Sequence, residues 1–89
     1  MLIGNEPNPF SGITHVRFRL DAETPVSLKV YSAAGREVAT LAEGVLGAGV
    51  YARSWNGSDY DERQTPSGVY YYRLEAGGWV ETQQMGRMR

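Results

Sequence analysis

Apolar and polar residues alternate through most of the chain. In ITHVRFRL, residues 13–20, Thr14, Val16, Phe18 and Leu20 fall on one face and His15, Arg17 and Arg19 on the other. That is the period of two expected of a half-buried strand. PVSLKVY, residues 25–31, repeats the pattern with Val26, Leu28 and Val30 against Ser27, Lys29 and Tyr31. The intervening DAETP is short, so the spacing predicts that these two strands pair as a hairpin. Gly35 in SAAGRE suits a left-handed turn position before EVATL, a further short strand. AEGVLGAGV spaces Gly44, Gly47 and Gly49 as no helix would, and is predicted as a loop that changes sheets. VYARSW alternates Tyr51, Arg53 and Trp55 against Val50, Ala52 and Ser54 and runs into an Asn-Gly turn. A polar loop over residues 56–67, a strand from Gly68 to Ala76, a Gly77-Gly78 hairpin turn and a last strand from Trp79 complete the pattern. About seven short strands with no useful helical period predict an all-β fold, an immunoglobulin-like antiparallel β-sandwich.

The three consecutive tyrosines of GVYYYRLEA cannot form one continuous stacking surface, because successive strand side chains point to opposite faces. Tyr70, Tyr72 and Leu74 are expected in the core with the hydroxyls at its rim, and Tyr71 with Arg73 outside. Tyr31, Tyr51, Tyr60, Tyr71 and Trp79 are the aromatics that a sugar could stack on. Their predicted positions are scattered over different strands and a loop. Trp55 is expected in the core.

With 89 residues the chain is expected to be one domain, burying roughly 60–65% of its unfolded surface. Nine basic and ten acidic residues leave a net charge of −1, which gives no basic field for nucleic acid or anionic lipid. No stretch approaches the roughly 18 apolar residues of a bilayer span, so no bilayer insertion is expected. MLIGNEPNPF lacks the charged and apolar regions of a signal peptide. If the parent protein is exported, its signal lies upstream, and these residues are then one domain of a longer chain. There is no cysteine, hence no disulfide framework and no thiolate metal site.

Catalytic chemistry finds no residues. His15 is the single histidine and sits on the arginine face of its strand, without convergent carboxylates in sequence reach. Asn56, Asp59, Asp61 and Glu62 superficially suggest a calcium loop, but the ligand spacing and the closing glutamate are missing. GVLGAG has no Gly-Lys-Ser/Thr ending and no following helix to hold a phosphate. No cofactor, no metal and no enzyme activity are therefore expected.

Five blocks in order, NPFSGITHVRFRL, VSLKVYSAAGREVATL, GAGVYARSWNG, TPSGVYYYRLEAGG and ETQQMGRMR, resemble the C-terminal sorting domain of proteins exported by the type IX (Por) secretion system. They are also similar to the related Ig-like domain of flagellar hook-capping proteins. The resemblance runs from about Asn8 to Arg89. It implies a noncatalytic domain at the C-terminus of a larger secreted protein, with residues 1–12 as a leading segment and 13–89 as the sandwich. It further implies recognition by the outer-membrane secretion machinery, with the passenger domain of the same chain anchored at the cell surface or released.

Carried over by that resemblance, Asn8, Pro9 and Phe10 match the opening motif, and Gly35, Arg36 and Glu37 the mid-domain turn. Trp55 and Gly57 match the tryptophan block, and Ser67, Gly68, Tyr70, Tyr72 and Leu74 the penultimate strand. The sorting or recognition strand corresponds to Gln83, Gln84, Met85, Arg87, Met88 and Arg89. Arg53 and Gly86 stand where the family usually carries aliphatic residues. With Glu81, Gln83, Gln84, Arg87 and Arg89 and little apolar alternation, this strand is expected to be a polar sheet edge with unpaired backbone groups. Such an edge can dock on a partner sheet or pair with a copy of itself. The alternatives are a carbohydrate-binding or accessory module of a secreted hydrolase and a structural Ig-like domain of a hook-capping protein.

Overall fold

A computed structural model describes all residues, Met1–Arg89. Seven strands follow one another: β1 (Leu2–Glu6), β2 (Thr14–Leu20), β3 (Thr24–Ser32), β4 (Glu37–Leu46), β5 (Gly49–Trp55), β6 (Gly68–Ala76) and β7 (Trp79–Arg87). They form two antiparallel sheets, a three-stranded one in the order β1-β2-β5 and a four-stranded one in the order β4-β3-β6-β7. The Ig-like β-sandwich predicted from the alternation is the fold of the protein.

The core lies where the two inner faces meet. Thr14, Val16, Phe18 and Leu20 from β2 are buried, as are Val26, Leu28 and Val30 from β3 and Tyr70, Tyr72 and Leu74 from β6. Phe10, Trp55 and Met85 join the cluster near one end, and Leu2 of β1 and Val38 and Ala42 of β4 also belong to it. Tyr71, one residue out of phase, is half-buried on the outer face. The Gly77-Gly78 turn joins Ala76 to its partner Trp79 with both glycines at positive φ, +54° and +88°. Two successive positive φ values are what a tight hairpin with the native strand twist requires.

Three expectations need correction. β2 and β3 do not form a hairpin: β2 pairs with β1 and β5, while β3 pairs with β4 and β6. The connection at residues 21–23 instead crosses between sheets, because each strand buries its apolar face against the opposite sheet rather than beside its sequence neighbour. The glycine-rich stretch is mostly strand, since β4 continues through Gly44 to Leu46 and only Gly47 and Ala48 carry the change of sheet. Finally, the leading segment contains a strand. β1 runs along β2 with an irregularity between Leu2 and Gly4, and its Leu2 is buried in the core.

The first and last strands close one side of the sandwich together. β1 lies beside β7, and the Leu2 amide donates to Glu81 Oε1 at 2.8 Å. Because Leu28 is fully buried at the centre of β3, Leu28→Ala is expected to lower stability by about 3 kcal/mol through lost burial and a residual cavity. Urea unfolding followed by tryptophan fluorescence measures it.

Candidate functional site

The residues singled out in the last strand do not share one environment. Inward and outward positions alternate, so Met85 and Arg87 are buried, with exposures of 2% and 3%, whereas Gln84, Met88 and Arg89 are exposed. Gln83 is half-buried, and its Oε1 lies 2.9 Å from the Tyr72 hydroxyl. The expectation of a wholly polar, unpaired edge is thus corrected at its C-terminal half. There the Phe10 amide donates to the Gly86 carbonyl at 3.0 Å, and the Met88 amide donates back to the Phe10 carbonyl at 2.8 Å. The Gly86 amide donates to Asn8 Oδ1 at 3.0 Å. Asn-Pro-Phe is a short cap on the edge strand, which is one way a sheet edge is blunted.

Arg87 is the centre of this arrangement. Its Nε donates to Thr65 Oγ1 (3.0 Å), its Nη1 to the Ser11 carbonyl (3.2 Å) and its Nη2 to Gln64 Oε1 (2.5 Å). The guanidinium also lies 5.6 Å from the Phe10 ring centroid, in reach of a cation–π attraction. No carboxylate pairs with it. A buried charge is costly unless its donors are satisfied, and here neutral oxygens from the leading segment and the 56–67 loop satisfy them. The loop is shaped for this. The Thr65 amide and hydroxyl both donate to the Gly57 carbonyl, at 2.8 and 2.7 Å.

Gly57 is required on two counts. Its φ is +81°, and an added Cβ would sit 2.3 Å from Arg87 Cζ. The aromatic residues complete the wall: Phe10 and Trp55 ring centroids are 5.6 Å apart, and Trp55 meets Tyr70 edge-on at 5.2 Å. Trp55 Nε1 donates to the Ser58 carbonyl and the Tyr70 hydroxyl to the Pro66 carbonyl. Asn8, Pro9, Phe10, Trp55, Gly57, Tyr70 and Arg87 therefore converge at one end of the sandwich. Gly35 serves the β3–β4 turn with φ of +88°, Gly68 opens β6, and Leu74 and Tyr72 lie deeper in the core.

The acidic loop residues act as turn formers. Asp59 Oδ1 accepts the amides of Asp61 and Arg63 at 2.9 and 3.0 Å. Tyr60 reaches from the same loop to β4, where its hydroxyl bonds to Glu37 and lies 2.7 Å from Thr40 Oγ1. That hydrogen bond, with Lys29 at 3.4 Å, holds the Glu37 carboxyl below its usual range. Thr65 and Gln64, which hold Arg87, are the residues that sequence reasoning missed. Neither polar loop position carries a periodic signal.

This geometry defines an Ig-like β-sandwich whose last strand is locked to its leading segment. The chain matches the FlgD Ig-like domain over residues 4–79 and belongs to that family. Most of β7 lies beyond the matched residues. No curated protein matches the chain. Among solved structures it is similar in fold to a part of PorZ, described as an essential bacterial surface component of the type IX secretion system of Porphyromonas gingivalis. The identity is 22% and the TM-score 0.67, over 96% of this chain and 11% of PorZ. The chain thus corresponds to a small part of that protein.

Two outcomes follow for the site. Gly57→Ala and Arg87→Ala are each expected to cost about 3 kcal/mol, from a clash in a left-handed position and from lost charge-assisted bonds respectively. The double variant should cost less than their sum by about 1 kcal/mol or more, because removing the guanidinium removes the clash; denaturant unfolding of the four proteins closes the cycle. Burial, with the Glu81 carboxylate adding to it, pushes the Tyr72 phenol up to about 12 from its ordinary 10. Its neutral form thus contributes stability that is complete below pH 10 and is lost as pH rises through about 12. Tyr72→Phe is expected to flatten that part of the stability–pH curve.

Proposed function

We propose that this chain is a noncatalytic sorting and cell-surface attachment domain that directs a passenger through the type IX secretion system. In this reading residues 1–89 form the single Ig-like domain at the C-terminal end of a larger secreted protein. The outer-membrane machinery is its partner and the cell surface its destination. The observation that carries the reading is the composite end built by Asn8-Pro9-Phe10 and the last strand. A signal made this way is a folded, discontinuous surface, with Met88 and Arg89 exposed beside Asn8 and Pro9. Met85 and Arg87 then act as the structural support of that surface rather than as contacts. The order of the five sequence blocks and the likeness to part of a type IX surface component support the same setting.

A second reading, a structural Ig-like domain of the flagellar hook-capping kind, is favoured by the family match over residues 4–79. It needs nothing special of residues 80–89, which separates the two.

The test is surface display in a bacterium that has the type IX machinery, with a fluorescent passenger fused to residues 1–89. The comparison is Met88→Asp/Arg89→Glu, which alters exposed positions and leaves the buried tie intact. The wild-type domain should bring the passenger to the surface and the variant should leave it in the periplasm. Equal export of both, or retention of both, overturns the proposal.

A further inference from the structure

The outer face of the four-stranded sheet gathers aromatics that the sequence leaves scattered. Tyr31 on β3 and Tyr71 on β6 are direct cross-strand partners, which sets their Cβ atoms about 5 Å apart on one face. Their row continues on both sides. Gln84 of β7 is opposite Tyr71, and Glu37 of β4, with the Tyr60 hydroxyl bonded to it, is opposite Tyr31. The adjacent row carries Thr40, Lys29, Arg73 and Thr82. Strand spacing makes the row about 14 Å long across the four strands.

The hydroxyls in this row differ from those of the other tyrosines. Of six tyrosines, Tyr51, Tyr60, Tyr70 and Tyr72 spend their hydroxyls on protein partners. Tyr31 and Tyr71 have none, although both residues are half-buried. The charges nearby are paired with one another: Lys29 with Glu37 at 3.4 Å and Arg73 with Glu75 at 3.1 Å. The face therefore offers two adjacent ring surfaces, free hydroxyl and amide groups, and no excess positive charge to select an anion.

We propose that this face binds an uncharged, hydroxyl-rich polysaccharide laid across the strands, with Tyr31 and Tyr71 each carrying one pyranose ring. A pyranose presents an apolar C–H face and a rim of hydroxyls. The first packs on an aromatic ring, and the second needs hydrogen-bond partners beside it, here the tyrosine hydroxyls, Gln84 and Thr82. The proposal is independent of the export reading and would hold for a surface module of either kind.

The test titrates the 89-residue chain with hydroxyethylcellulose, xyloglucan, galactomannan and laminarin, read by amide NMR shifts. At least one should give saturable shifts centred on residues 31, 71, 73 and 84. Tyr31→Ala and Tyr71→Ala should each weaken binding about tenfold, as truncation of an anchoring aromatic does. Tyr31→Phe/Tyr71→Phe keeps both rings and the fold, so it covers the case in which alanine unfolds the sheet; its affinity should fall by more than about twofold. The proposal is overturned by any of four results: no saturable shift with any of these polysaccharides; shifts centred instead on Trp79; affinity unchanged in a folded variant; or shifts that follow protein concentration alone, which would mark a second copy on this face.

Discussion

The structure depends on one buried guanidinium. Arg87 brings a full positive charge to within 3% exposure, and desolvating it would be prohibitive without partners for its donors. Two segments far apart in sequence supply those partners: Ser11 from the leading segment, and Gln64 and Thr65 from the loop before β6. Because the acceptors are neutral, each must stand at hydrogen-bonding distance for the charge to be tolerated. The loop geometry around Gly57, the position of Phe10 and the seating of β7 are thereby set by a single side chain.

That tie explains how a small sandwich defines its ends. The tyrosine strand supplies the middle of the four-stranded sheet, with Tyr70 and Tyr72 facing inward and Tyr71 outward. Hydrophobic packing alone would permit β7 to fray, since Met85 is its only buried apolar side chain. The Asn8, Phe10 and Arg87 contacts hold it where packing is thin. The exposed residues next to the tie, Asn8, Pro9, Met88 and Arg89, owe their relative positions to a buried group that no partner would touch.

Much of the architecture was legible because burial follows the alternation of β2, β3 and β6 residue by residue. What was not legible has physical reasons. A three-residue connection such as 21–23 serves a hairpin and a crossing between sheets equally well, and nothing local distinguishes them. β1 was hidden by its irregularity at Gly4 and by having a single buried side chain, Leu2. Arg87 sat in a polar tail, where an arginine usually belongs to solvent. Its inward direction was nonetheless available from parity, because Met85 two residues earlier is apolar and must point to the core. The Tyr31–Tyr71 pairing depends on register between strands 40 residues apart in number, which side-chain pattern alone does not supply.

The seam between the leading segment and β7 also bears on the order in which the domain can be completed. Its hydrogen bonds join residues separated by 79, 78 and 76 positions: Leu2 with Glu81, Asn8 with Gly86, and Ser11 with Arg87. Contacts of such separation carry a large loop-closure cost and form late in folding. As the chain is synthesised N-terminus first, the sandwich therefore stays open along that side until β7 arrives. Closure then reports that the sandwich's own last strand has arrived, so the fold is itself a check on the completeness of the domain.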